Sequence, residues 1–91
     1  MKLKCIIVDD EPLAISFLDR YCKKQGNLEV IETFTDSELA LTFLASNEIE
    51  ILFLDVEMPG ITGFELLDKL QYMPKVVLTT SKTDYAFDAF Q

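Results

Sequence analysis

The sequence predicts an α/β fold, a doubly wound parallel sheet in one small domain, and three observations carry that prediction. Strand and helix patterns alternate from the first residue to the last, which implies βαβ units, parallel strands and right-handed crossovers. Two strand patterns, Cys5-Ile6-Ile7-Val8 and Ile51-Leu52-Phe53-Leu54, are apolar throughout, as strands covered on both faces are. Carboxylates follow each of them at once: Asp9-Asp10-Glu11 after the first and Asp55 after the second. Groups at the carboxyl ends of strands in an open parallel sheet meet in one crevice, where such folds bind ligands.

The elements follow in order. Lys4–Val8 reads as a buried strand. Pro12 then sits where a first helical turn tolerates it, and Ala14, Phe17, Leu18 and Tyr21 share one helical face. Gly26-Asn27 ends that helix. Leu28, Val30 and Phe34 alternate with Glu29 and Thr33, the pattern of a strand with one wetter side near a sheet edge. Thr35-Asp36-Ser37-Glu38 has capping-box spacing and opens a helix carrying Leu39, Ala40, Phe43 and Leu44, ending near Ser46-Asn47. Ile49–Leu54 is the central strand, and Met58-Pro59-Gly60 a turn. Thr62-Gly63-Phe64-Glu65 is a second capping box, with Phe64, Leu67 and Leu70 inward on the short helix it opens. Lys75–Thr79 is a fourth strand, and Thr83 to Phe90 begins a fourth helix. No repeat, linker or low-complexity segment interrupts the alternation.

Composition narrows the function. The chain has 91 residues, 49% of them hydrophobic. That suffices for a core, although a chain this short buries only roughly 60–65% of its extended surface. Eight basic against 16 acidic residues, net −8, argue against direct nucleic-acid binding, which needs a positive footprint. Most of the acid reads as solvated surface. Cys5 lies in a strand pattern and Cys22 on a helix, with no short Cys spacing and no Cys/His cluster, so idle or buried thiols are expected rather than a disulfide or zinc site. There is no signal-peptide pattern and no apolar stretch long enough to span a bilayer. A cytoplasmic location is expected. Histidine is absent, which removes imidazole as a general base.

Several carboxylates brought to one crevice repel one another unless a cation sits among them. Oxygen-rich sites of that kind suit Mg²⁺, which binds through one or two carboxylates and keeps waters for a phosphate to displace. The residues therefore point to an acidic, magnesium-dependent phosphoryl site. Asp9 and Asp10 could instead cap the helix beginning at Glu11-Pro12. Asp55 has no such plain explanation, because an aspartate closing a buried strand costs desolvation unless paired.

At this point the residues resemble a family. Ile6-Ile7-Val8-Asp9-Asp10-Glu11, Leu54-Asp55-Val56-Glu57-Met58-Pro59-Gly60-Ile61-Thr62-Gly63 and Leu78-Thr79-Thr80-Ser81 are similar, in order and spacing, to the receiver domain of bacterial two-component response regulators. Thr79-Thr80-Ser81 followed by Asp84-Tyr85-Ala86-Phe87-Asp88-Ala89-Phe90 resembles its LytR/AlgR type, whose output is a LytTR DNA-binding domain. The resemblance implies a flavodoxin-like sheet of order 2-1-3-4 and transfer of a phosphoryl group from a sensor histidine kinase to Asp55. It implies Mg²⁺ ligation by Asp10, Asp55 and the backbone carbonyl of Glu57, with Asp9 acting through a water. Thr80 takes the place of the switch hydroxyl and Ser81 offers its backbone N–H to the phosphoryl group. Thr79 is the neighbouring candidate hydroxyl, which alternation along the strand should turn away. The Glu57 side chain either sits near the phosphoryl group and tunes its lifetime or is plain surface. Phe87 and Phe90 are core residues or part of a surface that rearranges on phosphorylation.

The family's lysine at the end of a fifth strand has no counterpart here, nor does the fifth helix, so residues 1–91 are expected to be a receiver incomplete at its C-terminal end. The apolar Val76-Val77-Leu78 has no further strand pattern to cover it, and such an edge invites pairing. Either chain beyond Gln91 or a second copy, in a homodimer through the fourth strand or its helix, would cover it. Two other functional classes remain open. An aspartate-nucleophile phosphohydrolase of the haloacid-dehalogenase type wants an aspartate two residues beyond the nucleophile, where this chain has Glu57. A non-phosphorylated interaction module would bind a partner without Asp55 or Mg²⁺. The leading expectation is a phosphoacceptor rather than an enzyme, with only slow self-catalysed phosphoryl transfer.

Overall fold

The computed structural model describes residues 2–79. Its elements are β1 (Leu3–Val8), α1 (Pro12–Gln25), β2 (Leu28–Phe34), α2 (Ser37–Ser46), β3 (Ile51–Asp55), α3 (Gly63–Asp68) and β4 (Lys75–Thr79). The strands form one parallel sheet in the order β2-β1-β3-β4, the flavodoxin-like arrangement expected. The fourth helix expected over Thr83–Phe90 lies outside the described residues. Among the described residues no helix is long and apolar enough to cross a membrane.

Strand alternation splits the core between the two sheet faces. Ile6, Val8, Leu52 and Leu54 pack on the α2 and α3 side with Ala40, Leu44 and Leu66, and Val76 and Leu78 join them. Cys5, Ile7 and Phe53 pack on the α1 side with Cys22, Ile15 and Leu18. Both cysteines are free and buried. Burial pushes the Cys5 thiol up to about 12 and the Cys22 thiol in the same direction, so both stay protonated and unreactive.

Several expectations shift. The inward stripe of α1 is Ile15, Leu18 and Cys22, whereas Phe17 and Tyr21 are exposed, Phe17 at 71%. At 100° per residue the helix carries two apolar stripes side by side, and the sheet takes the one centred near Cys22. On α3 it is Leu66 that is buried completely, and Phe64 turns outward. The helix is only six residues long, so its inner face is one turn wide. The cap of α2 is Asp36, not Thr35: the Asp36 carboxylate accepts from the N–H groups of Glu38 and Leu39, a stronger acceptor placed one residue later.

β2 is an edge strand, as expected, but its alternation breaks. Its register against β1 shifts between Cys5 and Ile6, where Val30 and Glu32 are successive partners and Ile31 is left over. This bulge sends Leu28 and Val30 to the α1 face and Ile31 and Phe34 to the α2 face. β3 begins at Ile51 rather than Ile49. The Ile49 N–H is taken by the Tyr72 hydroxyl at 3.0 Å, and that hydroxyl donates to the Asn47 carbonyl at 2.9 Å, which fixes the chain's entry into the central strand.

Candidate functional site

β1 and β3 are adjacent and parallel, with Val8 paired to Leu54, so the residues following each strand emerge at the same sheet edge. Asp9, Asp10 and Asp55 meet there, each offering a carboxylate oxygen, and these oxygens lie within 4.8 Å of one another. Asp9 and Asp55 are buried and Asp10 is half-buried. Both buried carboxylates are held by an N–H two residues on, Asp9 Oδ1 by Glu11 at 2.9 Å and Asp55 Oδ1 by Glu57 at 3.3 Å. These are Asx turns, which set the side-chain direction locally at each strand end. The backbone is pinned as well: Asp9 N–H donates to the Phe34 carbonyl, and Val56 N–H to the Thr79 carbonyl, each at 3.0 Å.

The loop after Asp55 is closed by α3. Thr62 and Glu65 complete a capping box in both directions, the Glu65 N–H on the Thr62 hydroxyl and the Thr62 N–H on the Glu65 carboxylate. Gly63 then donates its N–H to the Val56 carbonyl at 2.9 Å. A Cβ at Gly63 would overlap the Asp55 carbonyl oxygen and lie 3.0 Å from the Val56 Cα. Glycine is therefore required by close approach. Gly60 has φ 81°, a left-handed turn position suited to glycine.

Electrostatics show what the site lacks. Burial first, then the Asp9 charge and the Asp10 carboxyl, pushes Asp55 up to about 7. Asp9 is also raised, chiefly by burial, with the Glu11 N–H opposing and the neighbouring acids adding to it. Among the described residues no lysine or arginine pairs with any of the three carboxylates. A cluster made of oxygen donors only, in which the two buried carboxylates Asp9 and Asp55 resist ionisation, fits a hard divalent cation such as Mg²⁺.

Of the residues singled out in the sequence, Asp9, Asp10 and Asp55 are brought together. Glu57 is half-buried beside them, with its N–H on Asp55. Thr80 and Ser81 lie outside the described residues. Thr79 stands directly opposite Asp55 in the β3–β4 register, and its hydroxyl oxygen is buried with no hydrogen-bond partner.

Residues 5–91 match the profile of the response regulator receiver domain. The chain belongs to the response regulator receiver domain family. Transcriptional regulatory protein BtsR of Escherichia coli (strain K12) is 32% identical to this receiver over 91 residues, covering 98% of the chain but 38% of that protein. The receiver thus spans about two fifths of the length of that relative. Among solved structures, the response regulatory domain of mrkE from Klebsiella pneumoniae superposes with a TM-score of 0.82 at 31% identity, over 97% of this chain and 75% of that one. The CheX-CheY-BeF3-Mg²⁺ complex from Borrelia burgdorferi superposes with a TM-score of 0.77 at 22% identity, over 97% of this chain and 70% of that one, a likeness of fold.

Proposed function

We propose that this receiver is a phosphoacceptor in which Asp55 takes a phosphoryl group from a sensor histidine kinase in a Mg²⁺-dependent step, and that it controls a LytTR-type DNA-binding output. The observation that carries the reading is the convergence of Asp9, Asp10 and Asp55 at one sheet edge. Asp10, Asp55 and the Glu57 carbonyl would hold the ion, with Asp9 acting through a water. When bound, Mg²⁺ supplies the positive charge that lets an anionic carboxylate and a phosphoryl group approach. The Borrelia burgdorferi neighbour, in complex with Mg²⁺ and BeF3, supports that assignment by analogy of fold.

The chain's own residues do the rest. The Glu57 N–H and the Asx turn fix the rotation of the Asp55 carboxylate. An oxygen of that carboxylate attacks phosphorus as the bond from phosphorus to the kinase imidazole breaks, and the proton balance is carried by the departing imidazole. Catalysis is positioning and charge stabilisation, as phosphoryl transfer generally is. Thr80 supplies the switch hydroxyl and Ser81 a backbone N–H in this reading. The relative's name as a transcriptional regulatory protein, and the resemblance of Thr79-Thr80-Ser81 with Asp84 to Phe90, support the LytR/AlgR type. DNA contact belongs to the output and not to this acidic domain. The exposed apolar Val77 on β4 supports pairing with a second copy through that strand.

Incubation with radiolabelled acetyl phosphate tests the reading. The chain takes up one alkali-labile label on the peptide containing Asp55 and does not turn over p-nitrophenyl phosphate. Steady turnover of the aryl phosphate would favour a phosphohydrolase. A partner that binds equally well after Asp55→Asn and magnesium removal would favour an interaction module.

A further inference from the structure

Asp9 is anchored from a strand that supplies none of the site's carboxylates. Its backbone N–H donates to the Phe34 carbonyl at 3.0 Å. Phe34 is the last residue of β2, which ends the sheet on that side among the described residues. Strand ends at a sheet edge open readily, so this bond is only as firm as the end of β2. Two features fix that end. The bulge advances the register by one residue, so that Phe34 rather than Thr33 stands opposite Val8, on the α2 and α3 side of the sheet. There the Phe34 ring meets the Phe43 ring of α2, with centroids 5.4 Å apart and planes tilted by 53°, within the range that aromatic pairs favour. Both rings also pack against the core of that face. Contact therefore runs from α2 through two rings to the backbone of a buried carboxylate. The side chain of Asp9 is held separately, by the Glu11 N–H at 2.9 Å.

Resting on the proposed function above, we propose that Phe34 and Phe43 are positioning residues for Asp9. The ring pair clamps the end of β2, and the Phe34 carbonyl thereby sets where the Asp9 carboxylate stands relative to Asp10 and Asp55. Neither side chain offers an oxygen or a charge to the site; the effect passes through the backbone. Residues that orient a metal ligand from behind cost roughly 10–100-fold in metal affinity when they are lost. The clamp works through one backbone bond to one of three carboxylates, so its loss belongs at the lower end of that range.

Mg²⁺ is the probe, titrated against the wild-type chain, Phe34→Leu, Phe43→Leu, Phe34→Tyr and Ile15→Val, with amide hydrogen exchange followed by NMR on each metal-free chain. Phe34→Leu and Phe43→Leu each weaken Mg²⁺ binding about tenfold. In both, exchange of the Asp9 N–H accelerates about tenfold more than that of the Ile7 N–H within β1, which reports local opening rather than general loosening. Phe34→Tyr keeps the ring and stays within about threefold of wild-type affinity. Ile15→Val thins the core on the α1 side and leaves both readouts at wild type. In an Asp9→Asn background, Phe34→Leu has no further effect on Mg²⁺ binding. Wild-type Mg²⁺ affinity in Phe34→Leu would overturn the proposal, as would equal losses in Phe34→Leu and Ile15→Val, which would indicate general destabilisation. Equal acceleration of the Asp9 and Ile7 amides would overturn it too, as would a full Phe34→Leu loss that persists in Asp9→Asn. A folded wild-type chain that binds no Mg²⁺ would overturn the magnesium-dependent reading itself, whereas wild-type affinity throughout the series would leave that reading intact and refute only the clamp.

Discussion

Asp55 closes a strand of apolar residues, and the same burial that shields it from water disfavours its charge. Its carboxyl is held near 7 in the folded chain against 3.8 ordinarily. The folded state therefore binds this proton more tightly than the unfolded state does, and stability from this group is lost as pH rises through that interval. Asp9, raised for the same chief reason, acts in the same sense. Glu65, lowered by its bonds to Thr62, acts in the opposite sense but has finished titrating above its ordinary 4.5. Between pH 5 and 7, the metal-free chain should lose thermal stability, and Asp55→Asn should remove most of that slope. Calorimetric melts in chelator check this, and a flat or rising profile would contradict it. At Gly63 the constraint is steric. Gly63→Ala should cost about 1–3 kcal/mol as overpacking does, and weaken Mg²⁺ binding because the displaced atom belongs to Asp55. Urea melts and metal titration read both effects. The three aspartates were legible in the sequence because each follows a strand written as buried. The position of Thr79 was not, because inter-strand register depends on how β3 and β4 pair rather than on either strand alone.

Elements were legible where a local signal decides them. β4 runs over Lys75–Thr79 as its apolar run indicates, and α3 starts at the capping box of Thr62 and Glu65. Where two local signals compete, tertiary contact decides. The two stripes of α1 have equivalent spacing, and only the sheet's shape selects Ile15, Leu18 and Cys22 over Phe17 and Tyr21. The bulge at Ile31 is marked in the sequence only by the adjacent apolar pair Val30-Ile31, which breaks the alternation without saying which residue is left unpaired. The start of β3 depends on Tyr72, more than twenty residues later in the chain. Tyr72→Phe keeps the ring but leaves the part-buried Ile49 N–H without its partner, while the exposed Asn47 carbonyl stays open to water. We expect a loss of about 1 kcal/mol, the net worth of a typical hydrogen bond at a part-buried site, measured by urea unfolding. A change below a few tenths would show that the entry into β3 is held by other means.

For the whole molecule, a parallel sheet of order β2-β1-β3-β4 delivers separate strand ends to a single acidic crevice, in a chain of net charge −8. Salt of any kind screens that self-repulsion, but a bound ion does more. At neutral pH, Mg²⁺ at ten times its dissociation constant should stabilise the fold by about 1.4 kcal/mol. That exceeds the effect of sodium chloride at equal ionic strength, and Asp10→Asn should abolish the difference. Equal effects of the two salts would mean screening alone. The central claim, that this crevice makes Asp55 a magnesium-dependent phosphoacceptor, is tested most directly by intact mass after incubation with acetyl phosphate, with and without Mg²⁺. The account predicts a single phosphoryl adduct that requires the ion and disappears in Asp55→Asn. An unmodified mass on the folded wild-type chain, or an adduct that persists in chelator or in Asp55→Asn, would contradict it.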